Sequence, residues 1–192
     1  MKKKNIIIII SVIVLAVLSI FTLLILMSKN KKPVDENVLY EEKIGNVTYR
    51  FTKYDDVLGG RMTTGLERSL DDGKTYERVT EEPITISREG YSFKVQDENV
   101  IYVNSNGYID RKNDFIGFKV SLDGGKTFQN ATFNYPNTDI DIIDIERFPT
   151  VENNKLELNC SIYALNKTGT NYNNYDIYFI SEDQGLTWNY QE

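Results

Sequence analysis

Beyond its first 37 residues, the chain alternates apolar and polar positions with a period of two. This pattern is typical of β-strands that bury one face. No stretch in this part has the 3.6-residue apolar repeat of an amphipathic helix. The pattern predicts an all-β domain of about 12 strands in three units of roughly four. The first unit has segments 38–44, 47–54, 65–70 and 75–80, the second has 84–87, 91–96, 100–104, 115–122 and 127–133, and the third has 140–148, 155–165, 175–181 and 187–190.

The N-terminal segment has a different pattern. Residues 6–27 are uncharged and almost wholly apolar. As a helix rising about 1.5 Å per residue, they are long enough to cross a bilayer core. The run is longer than the apolar region of a cleaved signal peptide and does not end in small residues suited to cleavage. It predicts a transmembrane signal anchor at 6–27, a cytoplasmic tail at 1–5, a linker at 28–37 and an extracytoplasmic domain at 38–192, with the N-terminus inside.

One short pattern, Ser-x-Asp-x-Gly-x-Thr-aromatic, occurs three times between predicted strands. The Asp carboxylate is suited to accept backbone N–H groups across a turn. The Gly suits a positive φ, the Thr begins the returning strand, and the aromatic ring is predicted to be buried beside the hairpin. The copies comprise Ser69, Asp71, Gly73, Thr75 and Tyr76; Ser121, Asp123, Gly125, Thr127 and Phe128; and Ser181, Asp183, Gly185, Thr187 and Trp188.

These residues resemble the Asp box, or BNR repeat, of sialidases and related β-propeller proteins. The first two copies have Tyr76 and Phe128 where the family usually has Trp. The resemblance implies structural turns between the outer strands of propeller blades, away from the catalytic centre. Because propellers typically have four to eight blades, three blade-like units do not obviously close a ring. The alternatives are a homodimer that forms a six-bladed ring, a compact or open three-blade arrangement, and a β-trefoil.

Several observations oppose a catalytic reading of this resemblance. The family's enzymes use an arginine triad, a Tyr/Glu pair and an Asp acid, and have an Arg-Ile-Pro-like motif before their first box. Here the nearest match, Arg147-Phe148-Pro149, follows the second copy, and the predicted domain is about half as long as the family's. The chain has no histidine, which excludes Ser-His-Asp and Cys-His catalysis. We therefore predict that the protein is not an enzyme and has no cofactor.

Charge and cysteine content narrow the possible partners. Of the 22 Lys and Arg, six lie in the first 32 residues, which leaves 16 against 28 Asp and Glu and a net charge of −12 for residues 33–192. Such an acidic domain has no electrostatic footprint for nucleic acid. The single cysteine, Cys160, lies at a predicted buried strand position. The Lys-, Ile- and Asn-rich composition fits a low-GC bacterium, and we predict a Gram-positive host.

Two stretches are candidates for ligand contacts. The segment 169–176 concentrates Tyr and Asn, and Tyr172, Asn173 and Tyr175 are predicted to bind a partner. The acidic stretch 139–146 offers Asp141 and Asp144 as weak candidates for Ca²⁺. A solvated strand face, with the isoleucines inward, is the alternative for that stretch.

Together these features predict a non-catalytic, membrane-anchored cell-surface domain that binds a protein or a glycan. One alternative is a reduced sialidase-like, glycan-processing enzyme that uses carboxylates such as Asp141, Asp144 and Glu146. Another is an accessory subunit of a membrane complex.

Overall fold

The computed structural model describes residues 19–20, 36–110, 117–136, 142–152, 155–165 and 172–192. The chain forms two compact units, Met1–Glu36 and Asn37–Glu192. In the first unit only Ser19, Ile20 and Glu36 are described, and the first two are helical. The rest of the predicted membrane segment 6–27 lies outside the described residues. Among the residues that are described, no helix is long and apolar enough to span a membrane.

The second unit is all-β, which confirms the fold class predicted from the alternating pattern. Its described residues form sixteen strands, more than the expected twelve. The strands are β1 (Val38–Ile44), β2 (Val47–Val57), β3 (Arg61–Ser69), β4 (Glu77–Arg78), β5 (Ile84–Ser87), β6 (Ser92–Val95), β7 (Ile101–Asn104), β8 (Tyr108–Asp110), β9 (Phe118–Ser121), β10 (Gln129–Asn130), β11 (Thr132–Asn134), β12 (Ile142–Ile145), β13 (Thr150–Glu152), β14 (Lys155–Leu165), β15 (Tyr172–Ser181) and β16 (Thr187–Gln191).

The strands form three sheets that follow one another along the chain, except that β8 belongs to the third sheet. The first sheet has the order β1-β2-β3-β4, with β5 pairing beside β4 on β3. The second has the order β10-β9-β7-β6, and the third has the order β11-β16-β15-β14-β12-β8, with β13 also on β14. Neighbouring strands are antiparallel except β11 and β16, which are parallel. Each sheet therefore contains an antiparallel meander, as the three predicted units require.

Two short segments join the second and third units. The predicted strand 127–133 is interrupted at Ala131, whose N–H donates to Phe118 O at 2.7 Å. The next residue, Thr132, donates to Leu186 O at 2.8 Å, so the chain passes from the second sheet to the third at this point. Strand β8 likewise pairs with β12 of the third sheet. The prediction of one continuous strand at 127–133 was wrong because the second half pairs with a distant segment.

Two hydrophobic clusters hold the three sheets together. The first and second sheets share one cluster, centred on Phe51 and Phe93, whose rings stack with centroids 4.0 Å apart. The second and third sheets share the other, which contains Trp188 and Phe118. All four residues of β7 are buried. The second sheet is therefore covered on both faces, whereas the meanders of the outer two sheets each direct one face into a cluster.

Candidate functional site

The three copies of the Ser-Asp pattern occupy equivalent turns. Turn I (residues 69–76) joins β3 to β4, turn II (121–128) joins β9 to β10, and turn III (181–188) joins β15 to β16. In each meander this is the connection between the third and fourth strands. The repeat in sequence is therefore a repeat in topology.

The same hydrogen bonds close all three turns. Each Ser hydroxyl donates to Oδ1 of the Asp two residues later, at 2.7, 2.8 and 2.7 Å. Each Ser Oγ also accepts the N–H of the Gly, at 2.8 Å in every turn. The Thr N–H donates to Asp Oδ1 at 2.9, 3.0 and 2.8 Å. Because the three serines are only 1% exposed, their hydroxyls have no water to replace these partners. The sequence pattern assigned no role to the serine, yet it is the centre of the network.

Two consecutive residues in each turn adopt a positive φ. The pattern glycines have φ of 73° at Gly73, 91° at Gly125 and 93° at Gly185. The preceding residues are also left-handed, with φ of 60° at Asp72 and at Gln184 and 73° at Gly124. Side chains with a Cβ are strained in this region. The sequence indicated this requirement only for the second of the two positions.

The glycines of turns II and III lie close to the sheet that precedes their own. A Cβ built on Gly125 would overlap Leu66 Cδ2 of the first sheet. A Cβ on Gly185 would come within 2.9 Å of Tyr102 Cε1 in the second sheet. The hydroxyl of Tyr102 also donates to Gln184 O at 3.3 Å. These two turns therefore attach one sheet to the next.

The aromatic residue of each turn differs in its surroundings. Trp188 is 0% exposed between the second and third sheets. Phe128 packs against Phe51 of the first sheet, with centroids 6.3 Å apart. Tyr76 instead lies under the Arg50 guanidinium, 3.6 Å from the ring centroid, and its hydroxyl donates to Glu41 Oε2 at 2.8 Å. Turn I, where Arg50 and Glu41 contact the aromatic residue, thus has a tyrosine at this position, whose hydroxyl can form a hydrogen bond.

The turn aspartates are stabilised in their charged form. Hydrogen bonds from the backbone of Thr75 and from the Ser69 hydroxyl hold the pKa of Asp71 well below its usual range. Burial of Asp123 opposes ionisation, but hydrogen bonds from Thr127 and Ser121 outweigh it and lower the pKa. The pKa of Asp183 is lowered in the same way, because hydrogen bonds from Thr187 and Ser181 outweigh the effect of burial. Their lone pairs are already occupied within the turn, so these carboxylates have a structural environment.

A second set of polar residues lies on the outer face of the third sheet. The amide face, as we call it, comprises Asn134, Asn159, Tyr178, Asn189 and Gln191. Tyr178 is opposite Asn159 on one side and Gln191 on the other. In the adjacent row, Asn189 is opposite Asn134 and Ile180. Strand spacings of about 4.8 Å make this face roughly 14 Å wide across β14, β15, β16 and β11.

The amide face is exposed and partly pre-arranged. Tyr178 is 50% exposed, and the four amide residues are exposed. Asn134 Nδ2 donates to Asn189 Oδ1 at 2.8 Å, which orients both amides. Carboxylates lie at the margins, with Glu157 opposite Ile180 and Asp176 next to Ser161. Lys155 also lies at this edge, where its ammonium is paired with Glu182 at 2.5 Å. The centre of the face is therefore neutral and rich in hydrogen-bonding groups, and its margins carry more carboxylates than cations.

The predicted binding residues lie on the same strand but are only partly described. Tyr172 and Asn173 begin β15, and nothing is described of their side chains. Tyr175 is 50% exposed and pairs with Ile162, a residue of the inward face. Strand alternation places Tyr175 and Tyr178 on opposite faces of the sheet. A role for Tyr172, Asn173 and Tyr175 stays a prediction.

The acidic candidate site is also only partly described. Asp141 lies outside the described residues. Asp144 belongs to β12, opposite Ser161, and partial burial with the nearby charge of Glu146 raises the pKa of this carboxyl. Within the described ranges, no group of three or more Cys, Asp and Glu side chains is placed to hold a metal ion. Cys160 is buried on the inward face of β14, and burial raises the pKa of its thiol.

Comparisons with known proteins identify similarity in structure but none in sequence family. No protein-family model matches the chain, and no curated protein matches it either. Among solved structures, a similar chain is a mutant α-L-arabinofuranosidase from Fusarium graminearum, in complex with an iminosugar inhibitor. The TM-score is 0.45 at 16% sequence identity, and the alignment covers 79% of this chain and 48% of that one. This chain thus spans about half the length of the protein it matches.

This comparison corrects one prediction from the sequence. We predicted that the protein is not an enzyme, but the similar structure is a glycoside hydrolase. The prediction is therefore withdrawn. A TM-score of 0.45 does not supply an activity in its place.

Proposed function

We propose that this chain is a membrane-anchored, extracytoplasmic Asp-box domain that binds a neutral glycan on its amide face. The apolar run at residues 6–27 supports the anchor. The three equivalent turns, each between the third and fourth strands of a meander, support the assignment as Asp boxes. Three separate sheets packed face to face favour propeller-like blades over a β-trefoil.

The observation that carries the binding proposal is the position of Tyr178 between Asn159 and Gln191, beside the Asn134–Asn189 pair. Primary amides both donate and accept hydrogen bonds, which matches the hydroxyl groups of a sugar. The exposed tyrosine adds a rigid apolar surface that a sugar ring can cover. This combination of groups recognises a polyhydroxylated ligand without needing a charge on it.

The charges around the face define the kind of glycan. Glu157 and Asp176 border it, and residues 33–192 carry a net charge of −12. Acidic sugars would be repelled by this field, especially at low ionic strength. A neutral oligosaccharide has no such penalty. We therefore expect neutral hexose or N-acetylhexosamine chains to bind in preference to sialosides.

An array of neutral and acidic oligosaccharides tests the proposal, with the full-length chain in detergent micelles. Asn159→Ala combined with Asn189→Ala removes two hydrogen-bonding side chains, at about 1 kcal/mol each. We expect roughly thirtyfold weaker binding from the double variant. Asn99→Ala is the matched control, because Asn99 is an exposed amide in the second sheet's loop region.

Two results would contradict the proposal. One is an absence of binding to every neutral glycan on the array. The other is equal loss of affinity in the double variant and in Asn99→Ala, which would place the binding groups elsewhere. Preferential binding of sialosides would refute the charge argument while leaving a glycan as the ligand.

A further inference from the structure

A cleft lies between the first and second sheets, on a different part of the domain from the amide face. Its volume is about 590 Å³, which is within the usual range for small-ligand sites. The first sheet contributes the segment that enters β5, with Glu81 and Glu82. The second sheet contributes turn II and its neighbours, with Lys126 and Phe128. The two sides are joined where the N–H of Glu81 donates to Lys126 O at 2.9 Å.

The two sides of this cleft carry opposite charges. Glu81 and Glu82 are exposed carboxylates on one side, and Lys126 is an exposed ammonium on the other. Lys119, the second cation of the cleft, donates to Asn130. Among the described residues, no ion pair joins the two acidic residues to Lys126. The two carboxylates and the Lys126 ammonium thus line the same cleft without pairing with each other, although the backbones of Glu81 and Lys126 are hydrogen-bonded.

The lining also includes apolar side chains, together with the polar residues Thr85, Thr127 and Asn130. Ile84 is buried, and Phe128 is half-buried in the cluster shared by the first two sheets. An aliphatic segment of a ligand can cover these side chains while its polar ends reach the walls. The cleft therefore offers a ligand two carboxylates from the first sheet, an ammonium from the second sheet and some apolar surface.

We propose that this cleft binds a small zwitterion, such as a free amino acid or a short peptide. Its α-ammonium would lie beside Glu81 and Glu82, and its carboxylate would lie beside Lys126. A ligand with no net charge is not repelled by the acidic domain, and charge-assisted hydrogen bonds at both ends give it orientation. This proposal is independent of glycan binding at the amide face.

Trialanine and two charge-deleted analogues test the proposal by calorimetry, with the full-length chain in detergent micelles. N-acetyl-trialanine lacks the ammonium, and trialanine amide lacks the carboxylate. We expect trialanine to bind about tenfold more tightly than either analogue, because each lost charge removes a charge-assisted hydrogen bond.

Two variants assign the charges to the two sides. In Lys126→Gln, trialanine and trialanine amide should bind with equal affinity, because the partner of the carboxylate is gone. In Glu81→Gln combined with Glu82→Gln, trialanine and N-acetyl-trialanine should become equal. Glu89→Gln, an exposed carboxylate in the turn after β5, is the control and should keep the tenfold preference. A loss of folding would not produce these selective changes, because it would lower the affinity for all three ligands together.

Three outcomes would overturn the proposal. The first is no heat of binding with trialanine at millimolar concentration. The second is equal affinity of the wild-type protein for all three ligands. The third is loss of the preference in Glu89→Gln as well as in the cleft variants, which would indicate a general charge effect.

Discussion

The contact between turn II and the first sheet leads to a quantitative prediction at Gly125. An alanine there has two separate costs. The first is backbone strain, since φ is 91° and a left-handed residue with a Cβ costs about 1–2 kcal/mol. The second is steric, because the new Cβ would overlap Leu66 Cδ2 and lie 3.1 Å from Ile101 Cδ1.

Both neighbours of this Cβ are fully buried, so the core must rearrange to accept it. Overpacking of a well-packed core costs about 1–3 kcal/mol. The two costs together are about 2–5 kcal/mol. The alanine also lowers the entropy of the unfolded chain, which offsets about 0.4–1 kcal/mol, so Gly125→Ala should lower the free energy of unfolding by about 1–4.6 kcal/mol. Gly60→Ala is the matched control, since Gly60 has φ of 72° but nothing within 4 Å of its Cβ position. Gly60→Ala therefore has only the cost of backbone strain, and the smaller entropy of the unfolded chain offsets that cost by about 0.4–1 kcal/mol.

Denaturant unfolding of the compact unit Asn37–Glu192 measures both variants. Trp188 is the single tryptophan and is fully buried, so its fluorescence reports the loss of the fold. We expect Gly125→Ala to be less stable than Gly60→Ala by at least about 1 kcal/mol, the lower bound for overpacking. Equal destabilisation of the two variants would refute the packing of turn II against Leu66.

Two further predictions concern the turns. In the same assay, Gln184→Gly should leave the free energy of unfolding unchanged or raise it by up to about 1 kcal/mol. The glycine relieves left-handed strain at φ of 60°, but it also makes the unfolded chain more flexible. A clear loss of stability would contradict strain at this position. Because the pKa values of the turn aspartates are lowered in the folded state, their stabilisation is complete above the unfolded pKa of about 4 and is lost as pH falls through the folded values. The midpoint temperature should thus fall more steeply between pH 5 and pH 2 in the wild type than in Asp183→Asn, and parallel curves would contradict this assignment.

Much of the fold follows from local pattern. Strands β1, β5 and β14 begin and end where the apolar alternation begins and ends. The glycine positions of the three turns also follow from local chemistry, because a tight turn between antiparallel strands needs a positive φ. These features depend on residues that are close in sequence.

The features that escaped prediction depend on distant pairing. Strand β11 is separate from β10 because it pairs with β16, far along the chain. The amide face also could not be predicted, since Asn134 and Asn189 are 55 residues apart and meet only through this pairing. The abundance of Tyr and Asn before turn III did indicate the strand that contributes Tyr178, but not the face on which its partners lie.

The most direct test of the proposed function compares two tyrosines of β15 with the same exposure. Tyr178 lies on the amide face, and Tyr175 lies on the opposite face by strand alternation; each is 50% exposed. In Tyr178→Ala, the affinity of the full-length chain for its best neutral glycan should fall at least about tenfold, because the contact surface and the hydrogen-bonding hydroxyl are lost. In Tyr175→Ala, the affinity should fall less than about twofold. The reverse result, with affinity lost in Tyr175→Ala and retained in Tyr178→Ala, would contradict binding at the amide face.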